Sequence, residues 1–172
     1  VPDRRIATNT VLISVKPVND RPLYSGPQNV NVIEDGNYSS PPEGTPIENW
    51  ATNILAGPPR AEDEQDQVLQ FEIVLSPEDQ ALFAEQPTAV IDPETKTASL
   101  HFVPALNANG TVLATAVLTD TPTDGTDPES ISRAFTITID PVNDAPTYEI
   151  AEGLEFIQVD EDSGPYTATW AE

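Results

Sequence analysis

The chain has 172 residues, of which 29 are acidic and seven basic, for a formal net charge of -22. That balance excludes the basic face nucleic-acid binding needs. The absence of Cys removes disulfides, thiol catalysis and Cys-built zinc sites. No run reaches the roughly 18 apolar residues of a membrane span, so direct membrane insertion is not expected.

In chain order, alternating segments recur between Pro, Gly, Asn and Asp punctuation, the pattern of half-buried strands. Strands are predicted over Ile6 to Val15, Gln28 to Glu34, Ile47 to Leu55 and Val68 to Leu75. Ser76 to Glu85 reads as a short helical turn, with Pro77 at its start and Leu82 and Phe83 as anchors. Further strands follow over Thr97 to Val103, Thr111 to Thr119 and Ile131 to Ile139. Short strands at this spacing predict an all-β fold, a seven-stranded antiparallel Greek-key β-sandwich. Its expected core is Trp50, Leu69, Phe71, Ile73, Leu100, Phe102, Val117, Phe135, Ile137 and Ile139. The 18 Pro residues fall mostly between the runs, where they break no ladder.

One phrase occurs twice. Pro17-Val18-Asn19-Asp20 and Pro141-Val142-Asn143-Asp144 each follow an apolar run and stand about one sandwich domain apart. A second pattern follows each copy, with Glu34-Asp35 answering Glu161-Asp162 and Trp50-Ala51 answering Trp170-Ala171. The expected organisation is therefore tandem. Residues 1–16 hold the last strand of one repeat, 17–22 a linker, 23–140 a complete domain, 141–147 a second linker, and 148–172 the first strands of the next repeat. The missing Met, at position 1 included, agrees with a segment from inside a longer chain.

The "PVNDAPT" phrase after a Thr-rich strand, followed by "VDEDSG", and the "WATNILAGP" stretch resemble the tandem cadherin-like and immunoglobulin-like repeats of very large surface adhesins. The resemblance implies an extracellular, non-enzymatic role in cell adhesion at the cell surface, with calcium (Ca2+) bound between domains. It implies a ligand set at the second junction of Glu34, Asp35, Asp140, Asn143 and Asp144, with Asp120 added. At the first junction it implies Asn19, Asp20, Asp63 and Asp66, and in the following repeat Glu161 and Asp162. Such oxygen donors suit calcium, which takes six to eight of them in flexible geometry. Lys16 stands where the second copy has Asp140, so the first junction is expected to be the weaker or the empty one. Expected partners are neighbouring repeats of the same chain, then other copies or surface ligands.

Blander readings stand beside these. Pro-Val-Asn-Asp also serves as a turn, because Asn and Asp bond their own backbone. Glu62 to Asp66 in isolation reads as a solvated loop. Asp124-Gly125-Thr126-Asp127 reads as a hairpin tip. His101 is the lone histidine, mid-strand and structural. Asn37 and Asn109 begin matches to the N-glycosylation pattern. No nucleophile elbow or phosphate loop is legible, so no enzyme is expected. Two further functions remain open: a repeat subunit of a surface filament or sheath that pairs strands or domains between chains, and an accessory domain of a secreted polysaccharide-acting enzyme.

Overall fold

A computed structural model describes residues 9–123, 125–150, 158–167 and 169. Its strands are β1 (Leu23–Ser25), β2 (Val30–Ile33), β3 (Ile47–Leu55), β4 (Val68–Val74), β5 (Phe83–Asp92), β6 (Thr97–Pro104), β7 (Gly110–Thr121) and β8 (Ser130–Asp140). They form two four-stranded sheets, ordered β1-β3-β6-β5 and β2-β8-β7-β4. The fold is an all-β sandwich, as the alternation predicts. All pairings are antiparallel except β2 with β8, which run parallel from Val30 opposite Ile137 to Ile33 opposite Asp140.

Burial decides which face each strand turns inward. In β8, Phe135, Ile137 and Ile139 are buried while Thr136 and Thr138 point away, which follows from the two-residue period. Trp50 is fully buried at the centre, its ring centroid 4.9 Å from that of Phe135 and 5.6 Å from that of Phe71. Ala114 lies opposite Phe135 across the β7–β8 ladder, and a residue this small leaves room for the rings. Tyr24 ties β1 to the other sheet: its hydroxyl donates to the carbonyl of Ala116 at 3.1 Å, and the Arg133 guanidinium sits 5.2 Å over its ring. Burial pushes the Tyr24 phenol up from its ordinary pKa, against a smaller opposing pull from Arg133.

Several expectations change. Val117 is outward and half-buried; Val112, Ala114, Ala116 and Leu118 are the inward set. In "TVLATAVL" the frame of Val112, Ala114, Ala116 and Leu118 is wholly apolar, while Val117 shares the other with Leu113 and two Thr residues, and pairing to β8 turns the wholly apolar frame inward. The helical turn over Ser76 to Glu85 shrinks to a 3-10 turn at Asp79–Leu82, because Phe83 is drawn into the core and opens β5. β5 and β1 bring the strands to eight among the described residues, against the seven expected. Of the segment Ile6 to Val15, residues 9–15 form no strand, and Val11, Leu12, Ile13 and Val15 are exposed. A strand needs a ladder partner, and these residues have none in the described sheets. Residues 6–8 and Asp124 lie outside the described residues. Of the strands expected between Leu154 and Ala171, residues 158–167 and 169 form a turn and no strand, and the others lie outside the described residues.

By contacts the chain divides into Val1–Pro141 and Val142–Glu172. In the second unit, Glu161 and Asp162 are exposed on a turn closed by the Ser163 N–H donating to the Asp160 carbonyl at 3.1 Å.

Candidate metal centre at one end of the sandwich

The ends of the sandwich are defined by the long strand β7, whose 12 residues span roughly 37 Å at about 3.4 Å per step. At one end Gly110 pairs with Ile139, where β8 finishes. At the other, Thr119 pairs with Ser130, where β8 begins, and Thr121 pairs with Val68, where β4 begins. Asp120 follows Thr119 on the inward-facing frame, so its carboxylate is carried into the interior at that end.

Around Asp120 the chain assembles a compact polar group. The Pro58-Pro59 corner leads into a 3-10 turn at Glu62–Glu64, where three residues per turn let one of three consecutive acids face inward. That residue is Glu64, 2% exposed; Asp63 and Asp66 point to solvent. Asn19 arrives from the "PVND" phrase. Its amide donates to Asp120 Oδ1 at 3.2 Å and to the Asp127 carbonyl at 2.9 Å. The Asp20 N–H donates to Glu64 Oε1 at 3.1 Å. Gln67 donates to Asn19 Oδ1 at 2.9 Å and, closely, to Glu64 Oε2. Gly57 makes room for this packing, since a Cβ there would stand 2.9 Å from Glu64 Cγ and 3.4 Å from Asp20 Cβ.

This network is incomplete in one respect. Asp120 is 0% exposed, and Oδ1 takes both the Asn19 amide and the Glu129 N–H, the latter at 2.8 Å. Oδ2 is buried with no hydrogen-bond partner, and so is Gln67 Oε1. Two buried carboxylates thus lie against neutral donors, with two acceptor oxygens unsatisfied. Burying an ionised carboxylate without compensation costs several kcal/mol, and a hard cation would supply what is missing. Glu64, Asp120 Oδ2, Asn19 Oδ1 and Gln67 Oε1 are the oxygen donors that would hold it, of the type calcium takes. Among the described residues no three His, Cys, Asp or Glu side chains group as a metal site by themselves. A cation there would need the amide oxygens as well.

The opposite end is built differently. Glu34 follows β2; its N–H donates to the Asp140 carbonyl at 3.1 Å and its carboxylate accepts from the Asn109 amide at 3.4 Å. Glu34 is 7% exposed, while Asp35 and Asp140 are exposed. Asn143 and Asp144 belong to the second unit, where both are exposed and the Asn143 amide donates to the Asp144 carbonyl at 3.4 Å. The second-junction set is thus corrected at one position: Asp120 lies at the Asn19 end, because β7 runs the length of the sandwich between it and Asp140. At the first junction, Asn19 and Asp20 join the cluster, and the turn presents Glu64 and Gln67 where the sequence suggested Asp63 and Asp66. The sequence did hold a signal for Asp120, an acid on the buried frame of an otherwise apolar strand.

Neither a protein-family model nor a curated protein sequence matches the chain. Among the described residues no helix is long and apolar enough to cross a membrane. His101 is held by Ser40 and Ser99, whose hydroxyls lie 3.0 and 2.8 Å from its two ring nitrogens.

Proposed function

We propose that the chain is a non-catalytic extender segment of a large extracellular adhesin, in which calcium stiffens the junction where the "PVND" phrase meets a β-sandwich. The observation that carries this reading is the buried pair Asp120 and Glu64, with Asp120 Oδ2 unpartnered, gathered against Asn19 and Asp20 of the linker phrase. A cation held there neutralises two carboxylates from separate loops. It also draws in the linker oxygens, so the chain entering β1 is pinned to the β4 and β7 ends. Stiffness of the junction is then the activity, and the ion is needed only where two segments must move as one.

This reading reverses the expected order of the two junctions. Lys16 is exposed, so solvent and salt screen the charge it adds to the first junction.

Extracellular calcium modules work with dissociation constants of about 10⁻⁴ to 10⁻³ M. A ligand at 100 times its dissociation constant stabilises the folded state by about 2.7 kcal/mol. The test is calorimetric melting of the chain in excess calcium and in chelator. The melting temperature should rise with calcium, and Asp120→Asn should abolish the rise. Identical melting in both buffers would sink the proposal.

A further inference from the structure

The end of the sandwich away from the Asp120 group carries a reactive pair of residues. Asn109-Gly110 is the sole Asn-Gly pair in the chain. Asn109 is exposed in the loop between β6 and β7, and Gly110 opens β7 at a φ of +145°, a conformation that suits a residue without Cβ. A glycine nitrogen is also the least hindered that can follow an asparagine. The Asn109 amide donates to Glu34 Oε2 at 3.4 Å, a long bond that holds the side chain weakly.

We propose that Asn109 is a site of spontaneous deamidation, which replaces the neutral donor facing the buried Glu34 by a carboxylate. The Gly110 nitrogen, after losing its proton to solvent, attacks Asn109 Cγ. A bond from that nitrogen to Cγ forms and the Cγ–Nδ2 bond breaks, and Nδ2 leaves as ammonia with protons returned by solvent. Water then opens the cyclic imide at one carbonyl to give aspartate, or at the other to give isoaspartate. The sum consumes an amide and a water and yields an acid and ammonia, with nothing oxidised or reduced.

Other asparagines are held or crowded. At the opposite end Asn19 Oδ1 accepts from Gln67 and its Nδ2 donates to Asp120 and to the Asp127 carbonyl, while the following N–H, of Asp20, donates to Glu64. Neither the electrophile nor the attacking nitrogen there can turn. Asn143 is exposed, but Asp144 follows it, and that side chain crowds the nitrogen while its charge opposes loss of the proton.

The product acts on Glu34, which is 7% exposed and whose N–H donates to the Asp140 carbonyl just past the β2–β8 ladder. A carboxylate where the amide stood repels it, the more strongly because water screens so little of Glu34. Isoaspartate also adds a carbon to the main chain just before Gly110, which lies opposite Ile139. Either product loosens this end of the sandwich, and the change runs one way, so it records the age of the molecule.

Ageing the whole chain in mildly alkaline buffer with chelator, followed by peptide mapping with mass spectrometry, tests this. Aspartate and isoaspartate should appear at Asn109 an order of magnitude faster than at Asn19 or Asn143. Asn109→Gln should remove the first acidic species resolved by ion exchange. An Asn109 still intact once Asn19 or Asn143 has converted overturns the proposal, as does one that converts only when the chain is unfolded in denaturant. Two fixed variants read the effect on Glu34: Asn109→Asp should melt below Asn109→Ser, which loses the donor without adding charge, and salt should narrow the gap. Equal melting of the two overturns the part assigned to Glu34. With chelator present throughout, none of these outcomes depends on whether a cation binds beside Asp120.

Discussion

The two ends of the sandwich are spelled alike and built differently. In the sequence a Pro-Val-Asn-Asp phrase precedes β1 and another follows β8, yet at the Asn19 end Glu64 and Asp120 are buried among amides, and at the Asp140 end the buried acid is Glu34, which accepts from Asn109. The difference teaches that which acids are buried is set by how the loops turn them, and any ion site would follow from that. The number of acids in the local sequence is a poor guide, because exposed carboxylates such as Asp63 and Asp35 are already hydrated and gain little from a cation.

The comparison can be broken or sharpened by substitution. The largest effect belongs to the layer both ends share. Trp50→Ala empties the centre and should cost about 3–5 kcal/mol, in chelator and in calcium alike, as read by denaturant unfolding. If only one end loosened by hydrogen exchange, the sandwich would not be a single cooperative unit.

Asp120→Asn comes next, with opposite signs in two buffers. In chelator it should stabilise by about 1–3 kcal/mol, since it removes a buried charge with an unsatisfied oxygen; in saturating calcium it should destabilise relative to the parent. Asp140→Asn, exposed at the other end, should change neither by more than about 0.5 kcal/mol. A calcium response lost in Asp140→Asn and kept in Asp120→Asn would exchange the roles of the ends.

Gly57→Ala acts on the first end alone. Its methyl would press on Glu64 Cγ, so the carboxylate must shift. Calcium affinity by titration calorimetry should fall about tenfold, or about 1.4 kcal/mol, while Asn109 at the far end keeps its exchange rates.

The smallest effect is a pH dependence at the Asn19 end but outside its polar group, on an exposed carboxylate. In the β5–β6 turn the Asp92 carboxylate accepts the Glu94 N–H at 2.8 Å and the Thr95 N–H at 3.3 Å. The Glu94 bond first, then those from Thr95, hold its pKa below the usual aspartate value. Because the folded pKa is the lower one, this contribution is complete above the ordinary aspartate range and fades as pH falls through the lowered value. Asp92→Asn should flatten the acid limb of a pH–stability curve there and leave calcium affinity untouched.

Much of the fold was legible because period-two alternation is a strong signal where only one frame is apolar. β8 has one such frame, and Phe135, Ile137 and Ile139 are buried as expected. In β7 the outward frame mixes Leu113 and Val117 with Thr, and Val117, taken singly for its apolar side chain, fell on the wrong side although the frame of Val112 to Leu118 is wholly apolar. β5 escaped because its start, Phe83, follows a turn with helix-like composition. The proposed ion site was half legible. Asn19 and Asp20 are marked by the repeat; Asp120 was singled out but assigned to the opposite end, and Glu64 and Gln67 depend on the rotation of a 3-10 turn, which no periodicity records.

The parallel pairing of β2 with β8 carries a mechanical consequence. These strands lie near the two points where the chain enters and leaves the sandwich, and Val30 to Ile33 are bonded alongside Ile137 to Asp140 in the same direction. Tension between residues 19 and 140 therefore pulls them past one another along their length. The ladder bonds are loaded together in shear, where a hairpin pulled at its mouth would open one bond at a time. A single molecule stretched between those residues should resist a higher force than one stretched across the β5–β6 hairpin.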